Sequence, residues 1–120
     1  MPNIRSAMED LARRIEPLTD RPVTTDPRNT TVTPCVLVDV PSLDYTAAAT
    51  ACAVQASFPV LVIGTPGAGA EVDALSRLLN EVLAGDLGVT RCDPITYEPT
   101  NTAQSADPCL AYRVTVEEMI

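Results

Sequence analysis

The sequence predicts an α/β (α+β) fold, a small mixed β-sheet with two helices on one face. Two observations predict this class: two stretches repeat apolar residues at helical spacing, and four other stretches alternate or run apolar as strands do. The length of 120 residues fits one domain, so residues 1–120 are predicted to form a single domain. The elements follow the order α-β-β-α-β-β, which favours both helices packing on the same sheet face.

Helices are predicted over residues 4–16 and 71–84. Asn3 suits an N-cap, and Pro17 disfavours helical geometry at the residue before it. Gly85 suits the left-handed position after the second helix. The apolar faces comprise Ile4, Met8, Leu11 and Ile15 in the first helix and Val72, Leu75, Leu78, Leu79, Val82 and Leu83 in the second. The predicted i,i+4 ion pairs are Glu9–Arg13, Asp10–Arg14, Asp73–Arg77 and Arg77–Glu81.

Strands are predicted over residues 35–40, 52–63, 89–98 and 109–117. Pro59 cannot donate a backbone hydrogen bond, so we expect an edge position or a bulge there. The alternation of the second strand places Cys52, Val54, Ala56, Phe58, Val60 and Val62 on one face. In the last strand we expect Leu110, Tyr112, Val114 and Val116 to face the core and Ala111, Arg113, Thr115 and Glu117 to face outwards.

Three connections, residues 19–33, 41–51 and 99–108, are long for a compact domain. Residues 19–33 hold six Thr and two Pro and show no periodicity. Patternless connections of this length are typically functional or mobile. We therefore expect the three loops to supply contacts with other molecules.

The composition excludes several classes of protein. With a net charge of −8, no His and no Lys, the chain is expected to bind neither specific nucleic-acid sites nor anionic membranes. The N-terminus does not read as a secretory signal, and the longest apolar run is far below the ~18 residues of a membrane span, so we expect folding in a cytoplasm. The four cysteines lack metal-ligand spacing and are expected to be reduced, buried thiols: Cys35, Cys52, Cys92 and Cys109.

No catalytic, cofactor or metal site is predicted. Nucleophilic catalysis by Ser or Cys usually needs an imidazole or amine base, and neither side chain is encoded. The glycine turn at residues 64–69 lacks the lysine of a phosphate loop and the third small residue of a dinucleotide fingerprint. Among the carboxylates near strand ends, Asp39 is interpreted as an outward-facing strand position. The carboxylates considered are Asp39, Asp44, Asp93 and Glu98.

Six pieces of the sequence follow one another in a characteristic order: IRSAMEDLARRI, a Thr/Pro-rich segment, Thr33-Pro34-Cys35, FPVLVI, EVDALSRLLNEVLAG and YRVTVEE. This succession resembles the tail terminator proteins of long-tailed (siphovirus-type) bacteriophages, and the resemblance spans nearly the whole chain. Arginine without lysine, with abundant Ala, Thr and Val, also looks like a GC-rich coding sequence.

The resemblance implies a virion protein without catalytic residues or cofactors. Such a subunit forms a homo-oligomeric, hexameric ring at the head-proximal end of the tail, stops growth of the tail tube and meets the head-completion (stopper) protein, while DNA passes through the ring. Repeated heterologous contacts build a ring, and we expect the long loops to form these contacts between neighbouring subunits. The interface charges we expect are Arg21, Asp26, Arg28, Asp44 and Asp107. Two alternatives remain open: another neck or head–tail connector subunit, and a cellular ligand-binding α/β domain.

Overall fold

Two α-helices and a six-stranded, mostly antiparallel sheet are formed by the residues that the structure, a computed structural model, describes. The fold class is therefore confirmed, with both helices on one sheet face. The described residues are 3–29, 34–44, 54–64, 70–97 and 109–119.

Helix α1 spans Ile4–Ile15 and continues as a 3-10 turn over Glu16–Leu18, while helix α2 spans Ala70–Leu83. Asn3 caps α1 as predicted, because its side-chain oxygen accepts a hydrogen bond from the Ser6 N–H at 3.0 Å. Both helices thus begin and end within two residues of their predicted bounds.

The ion pairs of the helices differ from the prediction. Arg13 pairs with Asp10 one turn away, and Arg14 pairs with Glu118 on the last strand. Glu81 accepts a hydrogen bond from the Thr19 hydroxyl at 2.7 Å. The predicted i,i+4 pairs do not form within the described chain; Asp10, Arg14 and Glu81 bond to other partners instead.

The sheet has the strand order β1-β2-β4-β6-β5, and β3 pairs with β4 beyond the end of β2. Among the described strands, β1 and β2 form the one parallel pair. The two short strands β1 and β3 lie in segments that sequence analysis treats as loops. The strands are β1 Val23–Thr24, β2 Cys35–Val38, β3 Ser42–Asp44, β4 Gln55–Ile63, β5 Val89–Tyr97 and β6 Cys109–Met119.

The expectation of an edge position or bulge at Pro59 is wrong, because Pro59 lies in the middle of the central strand β4. Gly64 donates its N–H to the Leu110 carbonyl on β6 at 2.8 Å. Backbone groups of successive strand residues point to opposite sides, so the nitrogen of Pro59 points away from β6. It faces Asp39, just past the end of β2, where β4 changes partner from β2 to β3. The missing N–H therefore costs β4 only one bond, at a gap between two strands.

The main core lies between the sheet and both helices. Helix α1 packs over β1 and β2, and α2 packs over β4 and β6. The alternation predicted for β4 and β6 is confirmed at the centre of this cluster. Its buried members are Met8, Leu11, Ala12, Ile15, Val36, Val38, Ala56, Phe58, Val60, Val62, Leu75, Leu78, Val82, Leu87, Val114 and Val116.

A second apolar cluster lies on the opposite sheet face and was not predicted. Ala111, expected to face outwards, is buried there, whereas Leu110, expected in the core, is exposed. Ile95 and Tyr97 of β5 pack against this cluster. Its buried members are Cys35, Leu37, Leu61, Ile63 and Ala111. The alternation locates the two faces correctly, but part of the face without α1 and α2 is buried too.

The predicted left-handed conformation of Gly85 is also wrong. The described glycine with a positive φ is Gly88, at 78°. Gly85 instead lies close against Leu18, since a Cβ atom on it would lie 2.4 Å from Leu18 Cδ1 and the Leu18 side chain would have to move. The chain after α2 thus passes directly beside the 3-10 turn that ends α1.

Candidate interaction surfaces

A groove of about 430 Å³ opens beside the first turns of α1. Its apolar walls include Met8, which is buried, and Val40, which is 59% exposed. We call it the α1 groove; it is lined by Ile4, Arg5, Met8, Thr25, Asp26, Pro27, Arg28 and Val40. Exposed apolar surface beside arginines is typical of protein contacts, where Met and Arg are enriched.

Asp26 and Arg28, both predicted interface charges, meet at the rim of the α1 groove. The Arg28 guanidinium donates to both carboxylate oxygens of Asp26, with Nη2–Oδ2 at 3.0 Å and Nε–Oδ1 at 3.2 Å. The Arg28 backbone N–H also donates to Asp26 Oδ1 at 2.9 Å, which closes a tight turn. These bonds hold the pKa of the Asp26 carboxyl below its ordinary value and raise the pKa of Arg28. The pair is a preformed, locally neutralised feature of the rim.

The other predicted interface charges lie elsewhere. Arg21 lines a separate cleft of about 140 Å³ between the end of α1 and α2, together with Arg77 and Glu81. Asp44 ends β3, where it is exposed and paired in register with Gln55 of β4. Asp107 lies outside the described residues. The structure therefore brings together two of the five predicted residues.

The carboxylates considered for catalysis do not converge within the described chain. Asp39 Oδ1 accepts a hydrogen bond from the Val40 N–H at 2.8 Å, which turns the chain after β2. Asp93 pairs with Arg91, with Nε–Oδ2 at 2.9 Å. Glu98 and the turn at residues 65–69 lie outside the described residues. The described part of the chain contains no group of three or more His, Cys, Asp or Glu that could hold a metal ion.

Strand β5 leaves one backbone edge unpaired in the described sheet. The Glu117 N–H donates to the Gly88 carbonyl, so odd-numbered residues of β6 face β5. Their partners Arg91, Asp93 and Ile95 bond to β6. The intervening backbone groups, those of Cys92, Pro94 and Thr96, point away from the sheet, and we call this row the β5 edge. Pro94 contributes an acceptor to it but no donor.

The cysteines are only partly as predicted. Cys35 is a buried free thiol, but Cys92 is an exposed free thiol, because it lies on the outermost strand of the described sheet. Partial burial and the neighbouring Asp93 carboxylate raise the pKa of the Cys92 thiol. Cys52 and the side chain of Cys109 lie outside the described residues.

Sequence reasoning missed Arg5 and Val40, which line the α1 groove. The run CVLVDV reads as one strand to residue 40, but β2 ends at Val38 and leaves Val40 exposed. Asp39, which interrupts the apolar run, was the available signal that the strand ends there. Asp side chains readily accept a hydrogen bond from a neighbouring backbone N–H and so compete with strand pairing.

Neither helix of the described chain is long and apolar enough to cross a membrane. Comparison of the chain with protein-family models, curated proteins and solved structures finds no match. The resemblance to tail terminators therefore rests on the sequence features alone.

Proposed function

We propose that this chain is the tail terminator of a long-tailed bacteriophage. In this role it forms a hexameric ring on the finished tail tube, stops tube polymerisation and presents a surface to the head-completion proteins. It acts through shape and contact, without a catalytic step, and resides at the head-proximal end of the tail after assembly in the host cytoplasm.

The observation that carries this proposal is the order of elements. Helix α1 precedes a Thr/Pro-rich segment, β2 and β4 follow, and α2 leads into the long hairpin of β5 and β6. This is the succession on which the resemblance to tail terminators rests. The two additional strands, β1 and β3, extend the sheet without changing that succession.

The α1 groove supports an assembly role. It offers exposed Val40 and Arg5 next to the paired side chains of Asp26 and Arg28. A ring needs one patch that meets a different patch on its neighbour, and a groove provides one half of such a contact. The net charge of −8 also suits a conduit for DNA, because acidic surfaces repel the phosphate backbone.

Capping of tail tubes tests the proposal. Purified chain is mixed with polymerising tail-tube protein, and tube lengths and ends are measured by electron microscopy. We expect shorter tubes with a ring at one end, and hexamers in native mass spectrometry. Unchanged tube lengths together with a stable monomer would contradict the proposal.

A matched pair of variants assigns the contact to the α1 groove. Val40→Asp places a charge on its exposed wall and is expected to abolish hexamers and capping. Val72→Asp is the control, since Val72 on α2 is 55% exposed and lies outside the groove. Equal circular dichroism spectra verify that both variants fold.

Two alternatives give different outcomes in these assays. Another neck or head–tail connector subunit would leave tube length unchanged but bind the head side. A cellular ligand-binding α/β domain would ignore tube protein and present a defined pocket; the α1 groove is the candidate, and a small-molecule ligand seated there would favour this alternative.

A further inference from the structure

The β5 edge offers unpaired backbone groups on an exposed strand. Cys92 and Thr96 each present a donor and an acceptor there, and their side chains are exposed. Unpaired strand edges of this kind add a strand from another chain through main-chain hydrogen bonds. The side chains on the edge strand decide which strand fits.

We infer that β5 pairs antiparallel with β5 of a second copy of this chain, about a two-fold axis at Cys92. The two sheets then continue into one another across the axis. The contact goes beyond the proposed ring, because an isologous contact closes on itself and builds a dimer, whereas a ring needs heterologous contacts.

Charge complementarity favours this partner and this register. Arg91 and Asp93 lie on the same face of β5 and already pair within one copy at 2.9 Å. An axis at Cys92 places Arg91 of each copy directly opposite Asp93 of the other. The four groups then form a square of alternating charge, and opposite charges in directly facing positions stabilise antiparallel pairs.

The row of charges extends into each sheet. Asp93 is the register partner of Arg113 on β6. Across the axis the order therefore becomes Arg113, Asp93 and then Arg91 of the second copy. Each carboxylate lies between two guanidinium groups, so no like charges face each other.

Neighbouring registers are disfavoured by the side chains. An axis at Asp93 places two carboxylates opposite each other, and an axis at Arg91 does the same with two guanidinium groups; both arrangements are destabilising. An axis at Pro94 places Asp93 opposite Ile95, so Arg91 and Asp93 no longer face each other. The missing N–H of Pro94 costs two bonds in that register and also two in the Cys92 register, where each Pro94 faces Thr90.

The geometry at the axis gives a direct readout. Cys92 of each copy donates its N–H to the other's carbonyl, which sets the two Cα atoms about 5.5 Å apart. This separation lies within the range that a disulfide bridges. The exposed thiol is therefore a reporter of the register as well as of the contact.

Cross-linking tests the register in a variant carrying Cys52→Ser and Cys109→Ser, which retains Cys92 and the buried Cys35. Copper phenanthroline at mildly alkaline pH is expected to produce a disulfide-linked dimer that Cys92→Ser abolishes. Absence of the dimer, while Cys92 reacts fully with a small maleimide, would overturn the inference.

Two charge variants test the same contact without relying on the thiol. Arg91→Asp places carboxylates opposite Asp93, and Asp93→Arg places guanidinium groups opposite Arg91. Each variant alone is expected to raise the dimer dissociation constant at least about tenfold in sedimentation. A 1:1 mixture of the two restores opposite charges at every facing position and is expected to form heterodimers by native mass spectrometry.

The control is Arg13→Asp, which makes the same change of charge on the exposed side of α1, away from the β5 edge. It is expected to dimerise like the unmodified chain. Single variants that dimerise normally, or a mixture that stays monomeric, would overturn the inference. Tube capping tests the ring independently of the β5 contact. One of the two proposals can therefore fail while the other holds.

Discussion

Gly85, just after α2, leaves no room for a side chain beside Leu18 of the 3-10 turn. A Cβ atom at Gly85 would lie 2.4 Å from Leu18 Cδ1 and 3.3 Å from Leu18 Cγ, so Leu18 would have to move. We expect Gly85→Ala to lower the free energy of unfolding by about 1 kcal/mol, the low end of the range for overpacking, because Leu18 Cδ1 ends a flexible, half-buried side chain that can turn aside. Urea denaturation measures the change.

A double-mutant cycle with Leu18→Ala isolates the steric cause. Leu18→Ala alone loses apolar burial, but it also removes the atoms that a new methyl group would meet. In its presence Gly85→Ala is expected to cost much less. Additive costs would instead point to backbone conformation as the reason for glycine at this position.

The ion pair of Asp26 and Arg28 predicts a pH dependence. The folded-state pKa of Asp26 lies below its unfolded value of about 3.9, so the pair stabilises the fold above that value. The contribution is lost as pH falls through the lower, folded pKa. NMR titration of the Asp26 carboxyl checks the direction, and Arg28→Gln should return the midpoint towards its ordinary value. An unshifted midpoint in the unmodified chain would contradict the observed pair.

At the scale of elements, the partner change along β4 decides where proline is tolerated. Pro59→Ala adds an N–H that can donate to Asp39, but it also raises the conformational entropy of the unfolded chain. Because the two effects oppose each other, we expect the free energy of unfolding to change by less than about 1 kcal/mol. Val60→Pro, one residue later, removes a bond to β6 and a buried side chain, and should cost about 3 kcal/mol or more. Thermal unfolding compares the two; similar costs would contradict the deduced backbone directions.

The elements with a strong local pattern were predictable, and the short ones were not. The helical repeats of α1 and α2 and the alternation of β4 and β6 arise from burial of one face, which the sequence displays directly. Strands β1 and β3 have two and three residues, too few for a period, and form only because β2 and β4 offer unpaired edges. Nothing in their local sequence requires them.

The candidate site was less predictable than the fold for the same physical reason. Asp26 and Arg28 were predicted as individual interface charges, and the structure shows that they pair locally because they lie two residues apart. Arg5 and Val40 join them through the packing of α1 beside the ends of β1 and β2, which no local pattern encodes. Charge and loop length indicate an interaction surface, but only tertiary packing selects its members.

At the scale of the whole molecule, strand β6, the last to be translated, lies between β4 and β5 in the sheet. While the ribosome is still making residues before Cys109, β4 and β5 lack the strand that joins them, and the apolar face of Phe58 and Val60 has no Val114 or Val116 beside it. The sheet can therefore be completed only after β6 has been synthesised, although β2 and β3 can pair with β4 before then. Until then β4 and β5 expose apolar side chains and unpaired strand edges that are prone to aggregation, and the time between synthesis of β4 and of β6 sets how long this exposure lasts.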